Sequence, residues 1–514
     1  MIYGRLKKNR LKRNPFWKTA LFGKRADNFV FCPAFRIEKY IERIKMKNIE
    51  LLMPAGDFEK MKYAYAFGAD AVYMGIPMFS LRARENGFKR DIVVEAVKYA
   101  HSLGKKIYVT ANILPHNHKV GPFMKYIGQL LEQCQPDAWI MSDPGIIMMT
   151  KEKYPDQEIH LSVQANTVNY ATAKFWEKMG VSRIILSREL SIKEIKTIRD
   201  YCPNLELEAF VHGAICIAYS GRCLISNYMS YRDPNQGTCS HSCRWQFKMY
   251  QKEDNQPADW LNEAQAAGIN PAITQQGDEY VPVKGDYYLQ ETERPGEFMQ
   301  IDEDENGTYL MNARDLCGIE YLEELREAGV DSFKVEGRNK SLYYASTIAR
   351  AYRGAIDDMN AGKPFNPDHL TDVFAASNKG YVAGFLKGNP GRSAQKFDGT
   401  RAEQKCFRFS GIVREYDDEK KMMKVEPRNP IRPGMELQLM EKNSTTSFRV
   451  EKIYNEYMRE IEAIHGGVHY CWIPYPEKPE EFALLREQTE EFNPHEVGLS
   501  NVDSENCGDN CNCG

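Results

Sequence analysis

The sequence has 514 residues, of which 42% are hydrophobic, and its formal net charge is −3. This length accommodates one large domain and one or two smaller ones, and no apolar run approaches the roughly 20 residues of a membrane span. The basic N-terminus lacks the uninterrupted apolar stretch of an export signal. We therefore expect a cytoplasmic protein without membrane contact, in a compartment where thiols stay reduced.

Charge is distributed unevenly along the chain. Residues 1–45 carry 13 Lys and Arg against 3 Asp and Glu, whereas residues 476–514 carry 10 acidic residues against 2 basic ones. The body between them is mildly acidic, so RNA binding requires a local basic patch. Strand and helix patterning begins at Met46. Residues 1–45 are therefore interpreted as a disordered extension or an upstream start-codon artefact, with an RNA-binding arm as the alternative.

From Ile49 onward, short apolar strands alternate with amphipathic helices. The predicted strands are IELLMPAG (49–56), AVYMG (71–75), KIYVTAN (106–112), AWIMSD (138–143), IHLSVQAN (159–166), RIILSREL (183–190), LELEAFVHG (205–213) and SFKVEGR (332–338). This alternation indicates an α/β protein with a parallel sheet. Eight units favour a TIM-like (β/α)8 barrel over a doubly wound sheet, and no Gly-x-Gly-x-x-Gly motif follows the first strand.

Polar side chains follow the carboxyl ends of these strands, where a (β/α)8 barrel carries its active site. They are Asn112, Asp143, Gln164, Asn166, Arg188, Glu189, His212, Glu336 and Arg338. A single Asp or Asn after a strand is commonly a helix cap, and a single histidine is commonly structural. Taken together, the polar strand ends predict a binding pocket at the mouth of the barrel.

The remaining chain divides into four further parts. An insertion, residues 214–310, follows the seventh strand and is predicted to form hairpins that cover the mouth. The barrel domain is placed at residues 46–385, a linker at 386–404 and a small β-barrel domain at 405–475. Such β-barrels are common in RNA-modification proteins, and a stabilising appendage is an equally good interpretation. Residues 476–514 are predicted to be a disordered acidic tail, with metal binding by Cys507, Cys511 and Cys513 as the alternative.

Four cysteines lie close together after the seventh strand: Cys216, Cys223, Cys239 and Cys243. The odd total of 13 cysteines and a reducing compartment argue against a disulfide framework. Structural zinc sites use two close pairs of ligands, whereas only the last gap here is short. The spacing therefore favours an iron–sulfur cluster over zinc or structural thiols. Cys317, predicted to open the helix after the insertion, is an alternative to Cys243 as fourth ligand.

The segment EAFVHGAICIAYSGRCLIS, residues 208–226, resembles the signature of the peptidase U32 family at every fixed position. Four further segments resemble the family: ELLMPAGDFEKMKYAYAFGADAVYMG (50–75), LSREL (186–190), RDPNQGTCSHSCRW (232–245) and KVEGRNKSLYYASTIARAYRGAID (334–357). The resemblance covers roughly residues 48–475. The members that the chain most resembles make 5-hydroxyuridine at the wobble position of tRNA with prephenate.

The resemblance implies an RNA hydroxylase that carries a [4Fe–4S] cluster on Cys216, Cys223, Cys239 and Cys243. Its expected partners are tRNA and a small dicarboxylate, prephenate; a homo-oligomer or a hetero-oligomer with a paralogue stays open. Arginines at the mouth suit the clamping of carboxylates. The predicted catalytic residues are Glu336, Arg338, His212 and Arg188, and the predicted substrate-binding residues are Arg82, Arg84, Asn112, Gln164 and Glu189.

Two other classes of function stay open. A peptidase is suggested by the family name and by a Cys–His dyad of Cys216 or Cys223 with His212. The chain contains neither Gly-x-Ser-x-Gly nor His-Glu-x-x-His, which weakens this hypothesis. The third class is a non-catalytic RNA-binding or assembly factor that uses the β-domain and the N-terminal arm.

Overall fold

The computed structural model describes residues 48–81, 87–216, 219, 313–388, 390, 406–467 and 469–497, together with the backbone of five strands between residues 250 and 309. The N-terminal extension (1–45), most of the linker and the three cysteines of the C-terminal tail lie outside the described residues. Among the helices that are described, none combines the length and the apolar character needed to cross a membrane.

The first part of the chain alternates strands and helices as predicted. The strands are β1 (Glu50–Ala55), β2 (Ala71–Gly75), β3 (Lys106–Thr110), β4 (Ala138–Met141), β5 (Ile159–Leu161), β6 (Arg183–Ile185) and β7 (Glu206–Ala214). The helices are α1 (Phe58–Ala66), α2 (Arg90–Ser102), α3 (Asn117–Leu131), α4 (Pro144–Lys153), α5 (Tyr170–Lys178) and α6 (Ile192–Tyr201). Polar N-caps begin several of these helices because a side-chain oxygen accepts from a free backbone N–H group. Asp57, Asn169 and Ser191 cap α1, α5 and α6 in this way.

Short antiparallel pairs occur within the insertion. Its described strands are β8 (Tyr250–Lys252), β9 (Tyr280–Pro282), β10 (Tyr287–Gln290), β11 (Phe298–Asp304) and β12 (Gly307–Tyr309). Strand β8 pairs with β9, and β11 pairs with both β10 and β12, all antiparallel. The predicted hairpins are therefore confirmed for these segments, whereas their covering of the mouth stays a prediction.

The chain after the insertion begins with a strand, where the sequence suggested a helix. Strand β13 (Asp315–Cys317) pairs antiparallel with the end of β7, and Cys317 lies opposite His212. The prediction that Cys317 opens a helix is wrong because β7 is long enough to offer a free edge beyond the barrel. Helix α7 (Leu322–Glu327) begins later, after a 3-10 turn at Ile319–Tyr321.

The barrel then closes. Strand β14 (Ser332–Val335) pairs in parallel with β1 on one side and with β7 on the other, so eight parallel strands form a closed ring. Helices α8 (Leu342–Asn360) and α9 (His369–Ala375) follow, and β15 (Tyr381–Val382) pairs in parallel with β13. The predicted TIM-like barrel is confirmed.

The C-terminal domain is an eight-stranded antiparallel sheet around a core of its own. Its strands are β16 (Phe407–Asp417), β17 (Met422–Pro427), β18 (Glu436–Met440), β19 (Thr445–Arg449), β20 (Ile453–Asn455), β21 (Glu460–Ile461), β22 (Cys471–Pro474) and β23 (Leu484–Gln488). Strand β23 lies between β16 and β18, so the predicted domain boundary at residue 475 is too early. The acidic composition concealed this strand, whose Leu484 and Leu485 are fully buried.

A buried ion network joins the C-terminal domain to the barrel. Asp372 of α9 accepts hydrogen bonds from Arg350 of α8 at 2.6 Å and from Arg486 of β23 at 2.9 Å. Burial alone would raise the pKa of Asp372, but the two guanidinium groups outweigh it and lower the pKa. Tyr343 of α8 stacks on Phe409 of β16 with ring centroids 4.7 Å apart. The two domains therefore share charged as well as apolar contacts.

The interior of the barrel contains a network of buried charges. Arg183 of β6 donates to Glu50 of β1 at 2.5 Å and to Glu208 of β7 at 3.1 Å, and Lys334 of β14 donates to Glu208 at 2.6 Å. Strands β6 and β1 are separated by β7 and β14, so the first bond crosses the barrel. Burial would raise the pKa of Glu50, but Arg183 and further hydrogen bonds lower it to about 2.

Replacing Glu208 by Gln is expected to lower the free energy of unfolding by about 3–5 kcal/mol, because Lys334 would lose its buried counter-charge. The measurement is urea unfolding of the full chain. Glu324→Gln, which removes one side of the exposed Lys387–Glu324 pair, is the matched control and should change stability by less than about 1 kcal/mol. Equal effects of the two substitutions would contradict the role given to the interior network.

Candidate functional site

The mouth of the barrel brings together an arginine and a glutamate from two strand ends. The guanidinium Nη2 of Arg188, which follows β6, lies 3.7 Å from Oε2 of Glu336, which follows β14, and both side chains are more than four-fifths buried. The Arg188 guanidinium carbon lies 3.9 Å from the ring centroid of Phe210, and the Tyr73 hydroxyl lies 3.4 Å from Glu336 Oε2. Two of the predicted catalytic residues therefore form one charge pair at the mouth.

Arg338 and Asn112 hold the loop that follows β2. Arg338 donates to the carbonyl of Leu81 and, at 3.2 Å, to Oγ1 of Thr110. The Asn112 Oδ1 accepts from the backbone N–H of Leu81 at 3.1 Å. Arg82 and Arg84, the predicted substrate-binding arginines, come directly after Leu81 and lie outside the described residues. Two predicted site residues thus position the start of the segment that carries these arginines.

Two glycines, Gly56 and Gly75, lie so close to Arg338 that a side chain on either of them would collide with it. A Cβ atom on Gly75 would lie 2.3 Å from Nη1 of Arg338, and one on Gly56 would lie 2.0 Å from its carbonyl oxygen. Neither glycine has a left-handed φ, so the constraint is space and not backbone conformation. The ends of β1 and β2 therefore leave room for the Arg338 side chain and its backbone.

The loops after β5 and β6 contain buried polar atoms without partners. Asn112 Nδ2 donates to Ser162 Oγ at 3.1 Å, and the Gln164 backbone N–H donates to the same oxygen at 3.4 Å. Within the described residues, three buried polar atoms nearby have no hydrogen-bond partner: Nδ2 of Asn166, Oγ1 of Thr167 and Oγ of Ser187. Asn166 also has a left-handed backbone with φ of 52°. Unpaired buried groups and local strain are features of binding sites.

Two of the residues with unpaired buried atoms, Thr167 and Ser187, were missed by the sequence analysis. Ser and Thr after a strand carry no distinguishing pattern; only the place of Ser187 in LSREL pointed to it. Asp143 has the ordinary role, because its side chain accepts from the N–H of Ile146 and caps α4. Glu189 follows Arg188 and is partly buried.

His212 does not lie at the mouth, contrary to the prediction. In the β7–β14 pair, Lys334 lies opposite Phe210 but Val335 lies opposite His212, so Val211 is an extra residue. Such a bulge reverses the alternation of faces, which turns His212 to the outer side of the barrel. Its Nδ1 lies 3.3 Å from the Tyr352 hydroxyl and its Nε2 3.5 Å from that of Tyr381. The ring is therefore not placed to activate the thiol of Cys216.

The cysteines are divided between the described and the undescribed parts of the chain. Cys216, two residues after β7, is an exposed free thiol, whereas Cys223, Cys239 and Cys243 lie outside the described residues. Cys317 is fully buried with its Sγ 3.8 Å from the Tyr352 hydroxyl, and burial raises the pKa of this thiol to about 12. Cys317 therefore has the environment of a core residue, and Cys216 that of an accessible ligand.

Comparison with known proteins identifies relatives along most of the chain. The model of Peptidase family U32 matches residues 56–396, and that of the Peptidase family U32 C-terminal domain matches residues 405–486. The tRNA hydroxylation protein P of Escherichia coli (strain K12) is 42% identical, over 85% of this chain and 96% of its own length. The protein of the same name from Haemophilus influenzae is 42% identical, over 87% and 98%. The 23S rRNA 5-hydroxycytidine C2501 synthase of Escherichia coli (strain K12) is 29% identical, over 66% of this chain and 47% of its own length.

The buried environment of His212 predicts a distinct pH response. Burial lowers the pKa of His212 to about 3, whereas a histidine in the unfolded chain titrates near 6.5. Between pH 7 and pH 5, His212 therefore takes up a proton in the unfolded chain but not in the folded one. The free energy of unfolding should fall by about 2 kcal/mol when the pH is lowered from 7 to 5. Urea unfolding at both pH values should show a smaller fall in the free energy of unfolding for His212→Phe than for the wild type. An NMR ring signal of His212 that titrates near pH 6.5 in the folded protein would contradict this assignment.

Proposed function

The chain belongs to the peptidase U32 family, and we propose that it is an enzyme that hydroxylates RNA, with the wobble uridine of tRNA as target and prephenate as co-substrate. Relatives named for tRNA hydroxylation that are 42% identical over most of the chain support an RNA substrate. The relative named as an rRNA hydroxycytidine synthase supports the same reaction class on a second RNA. Prephenate is the co-substrate that the family resemblance implies.

The Arg188–Glu336 pair at the mouth is the observation that carries the proposal. Arg188 is a guanidinium that rests on the ring of Phe210 and is only loosely paired with Glu336, at 3.7 Å. A carboxylate of the co-substrate can therefore replace Glu336 as its partner with bidentate geometry. After this exchange, Oε2 of Glu336, beside the Tyr73 hydroxyl, is in position to accept a proton within the pocket. Arg338 and Asn112 contribute by holding Leu81, the residue that directly precedes Arg82 in the chain.

The environment of Cys216 supports its proposed role as a ligand of an iron–sulfur cluster. Cys216 is exposed beside the mouth and free of other bonds, which is the state that a thiolate ligand requires. We propose Cys216, Cys223, Cys239 and Cys243 as the four ligands, because Cys317 is buried against Tyr352. When bound, the cluster would supply one-electron transfer next to the substrate pocket.

Deleting the gene for this chain should remove the hydroxylated nucleoside from the host's tRNA, as measured by mass spectrometry of digested tRNA. Wild-type protein should restore it. Gly75→Ala should restore less than about a tenth of it, because the new Cβ displaces the Arg338 guanidinium while the fold is kept. Gly121→Ala is the matched control, since its Cβ meets nothing within 4 Å.

Unchanged tRNA in the deletion strain would overturn the hydroxylation proposal. Loss of the nucleoside that is restored equally by both glycine variants would keep the function but move the site away from Arg338. Variants of Glu336 and Arg188 that still bind tRNA but lack the charge pair test the third class of function. If they restore the hydroxylated nucleoside in the deletion strain, the chain is a non-catalytic RNA-binding factor.

Anaerobically purified protein should contain about four iron and four sulfide per chain. Cys216→Ser should lose most of this iron, since a cluster with three protein ligands is labile, whereas Cys317→Ser should retain it. Iron and sulfide analysis, with the visible absorption spectrum, measures both. Zinc without sulfide in the wild-type protein, or full iron in Cys216→Ser, would exclude the proposed ligand set.

A further inference from the structure

One face of the C-terminal sheet carries a row of aromatic side chains. Tyr454 of β20, Trp472 of β22 and Lys424 of β17 are successive cross-strand neighbours, so their side chains share a face. The residues that alternate with them, such as Val425 and Cys471, are fully buried, so this row points away from the domain core. The three side chains form a continuous strip across three strands.

A lysine lies between two of the rings. The Lys424 ammonium is 5.0 Å from the ring centroid of Tyr470 and 5.7 Å from that of Trp472. Tyr470 directly precedes β22 and is 37% exposed. We call Tyr454, Trp472, Tyr470 and Lys424 the aromatic face. Its rings are partly open to solvent and a positive charge is placed beside them.

A further ring stands at the edge of the aromatic face. Tyr457, in the turn between β20 and β21, is 81% exposed. The turn that carries it is well formed, because Asn455 Oδ1 accepts from the N–H groups of Tyr457 and Arg459, both at 3.0 Å. A ring this exposed contributes little buried surface to the stability of the fold. Exposed rings in such a place indicate a surface for a partner.

Ion pairs join the strands beside the aromatic face to the first turn of α1. Arg414 of β16 forms ion pairs with Glu59, in the first turn of α1, and with Glu426 of β17, which is two residues from Lys424. Helix α1 begins directly after the mouth end of β1. A groove of about 530 Å³ runs between α1 and β16 and is lined by Phe58, Arg414 and Glu415. Strand β17, which carries Lys424, is therefore tied through Arg414 to the start of α1.

We propose that the aromatic face binds unpaired nucleotides of the RNA substrate that flank the target nucleoside. This inference rests on the proposed function and names a second contact surface for the same substrate. Exposed rings on a β-sheet stack on unpaired bases. Bases splayed from a single-stranded loop supply flat apolar surfaces that match this strip.

The charges around the aromatic face determine how it binds. Lys424 pairs with Glu415 at 3.1 Å, and Lys452 pairs with Glu460 at 3.0 Å. The local charge is therefore close to balanced, so the face contributes little neutralisation of phosphate. Stacking, which depends only weakly on salt, must supply the affinity. This property separates the aromatic face from an ordinary basic RNA-binding patch.

The test is binding of the full-length protein to unmodified tRNA over a series of salt concentrations. Trp472→Ala and Tyr457→Ala should each weaken binding, Trp472→Ala by about tenfold, because base stacking on an aromatic ring is lost. The slope of log K against log salt should stay as in the wild type, since no phosphate contact is removed. Phe175→Ala is the matched control, because Phe175 is 51% exposed on the barrel helix α5.

Each outcome decides the inference. Wild-type affinity in both Trp472→Ala and Tyr457→Ala would overturn it. A weakened affinity with an equally reduced salt slope would also overturn it, because phosphate contacts would be responsible. Tyr457 is so exposed that its variant tests the inference even where Trp472→Ala fails to fold. Nucleoside analysis tests the proposed function separately. If the variants bind tRNA more weakly but the wild-type protein produces no hydroxylated nucleoside, the aromatic face is supported and the proposed function is rejected.

Discussion

The buried charge network inside the barrel is the constraint on which the mouth depends. Glu208 lies between Arg183 and Lys334 with no exposure to solvent, and the contact between Arg183 and Glu50 spans the barrel. Removing charges from water is costly unless each is paired, so the four strands that carry them have one acceptable register. Lys334 and Glu336 occupy the same face of the chain two residues apart. The register that pairs Lys334 therefore also directs Glu336 into the mouth.

The extra residue in β7, Val211, determines which side chains of that strand face the mouth and which face the layer outside the barrel. Without the bulge at Val211, the alternation along β7 would direct His212 into the pocket beside Glu336. With the bulge, His212 and its cross-strand partner Cys317 both face Tyr352 in the core outside the barrel. The segment that begins at Cys216 thus leaves from a rigid, apolar base. Such a base would suit the proposed cluster ligands, which would have to hold one geometry.

The two domains act together in the proposed reaction. The barrel mouth offers the Arg188–Glu336 charge pair, which suits a small anionic co-substrate. The C-terminal sheet offers aromatic rings, which suit unpaired bases. Asp372, shared between Arg350 and Arg486, fixes one domain on the other through a buried contact. Both surfaces therefore belong to one folded unit.

The architecture followed from patterns that are visible in the sequence alone. Strand–helix alternation was sufficient to predict the closed barrel, because each parallel strand needs a crossover helix. The polar ends of those strands included Arg188 and Glu336, which the structure then brings together as a charge pair. The aromatic and short strands after residue 405 indicated a separate β-domain, although the strand at Leu484–Gln488 was concealed by its charged surroundings.

Other features were decided only by the tertiary structure. The bulge at Val211 depends on how β7 pairs with β14, so the sequence alternation of β7 placed His212 on the wrong side. The strand at Asp315–Cys317 exists because β7 extends beyond the ring and offers an edge, which no local pattern records. The aromatic face joins Lys424, Tyr454 and Trp472 from three strands that are distant in sequence. Cross-strand neighbours are set by register, and register is a property of the folded sheet.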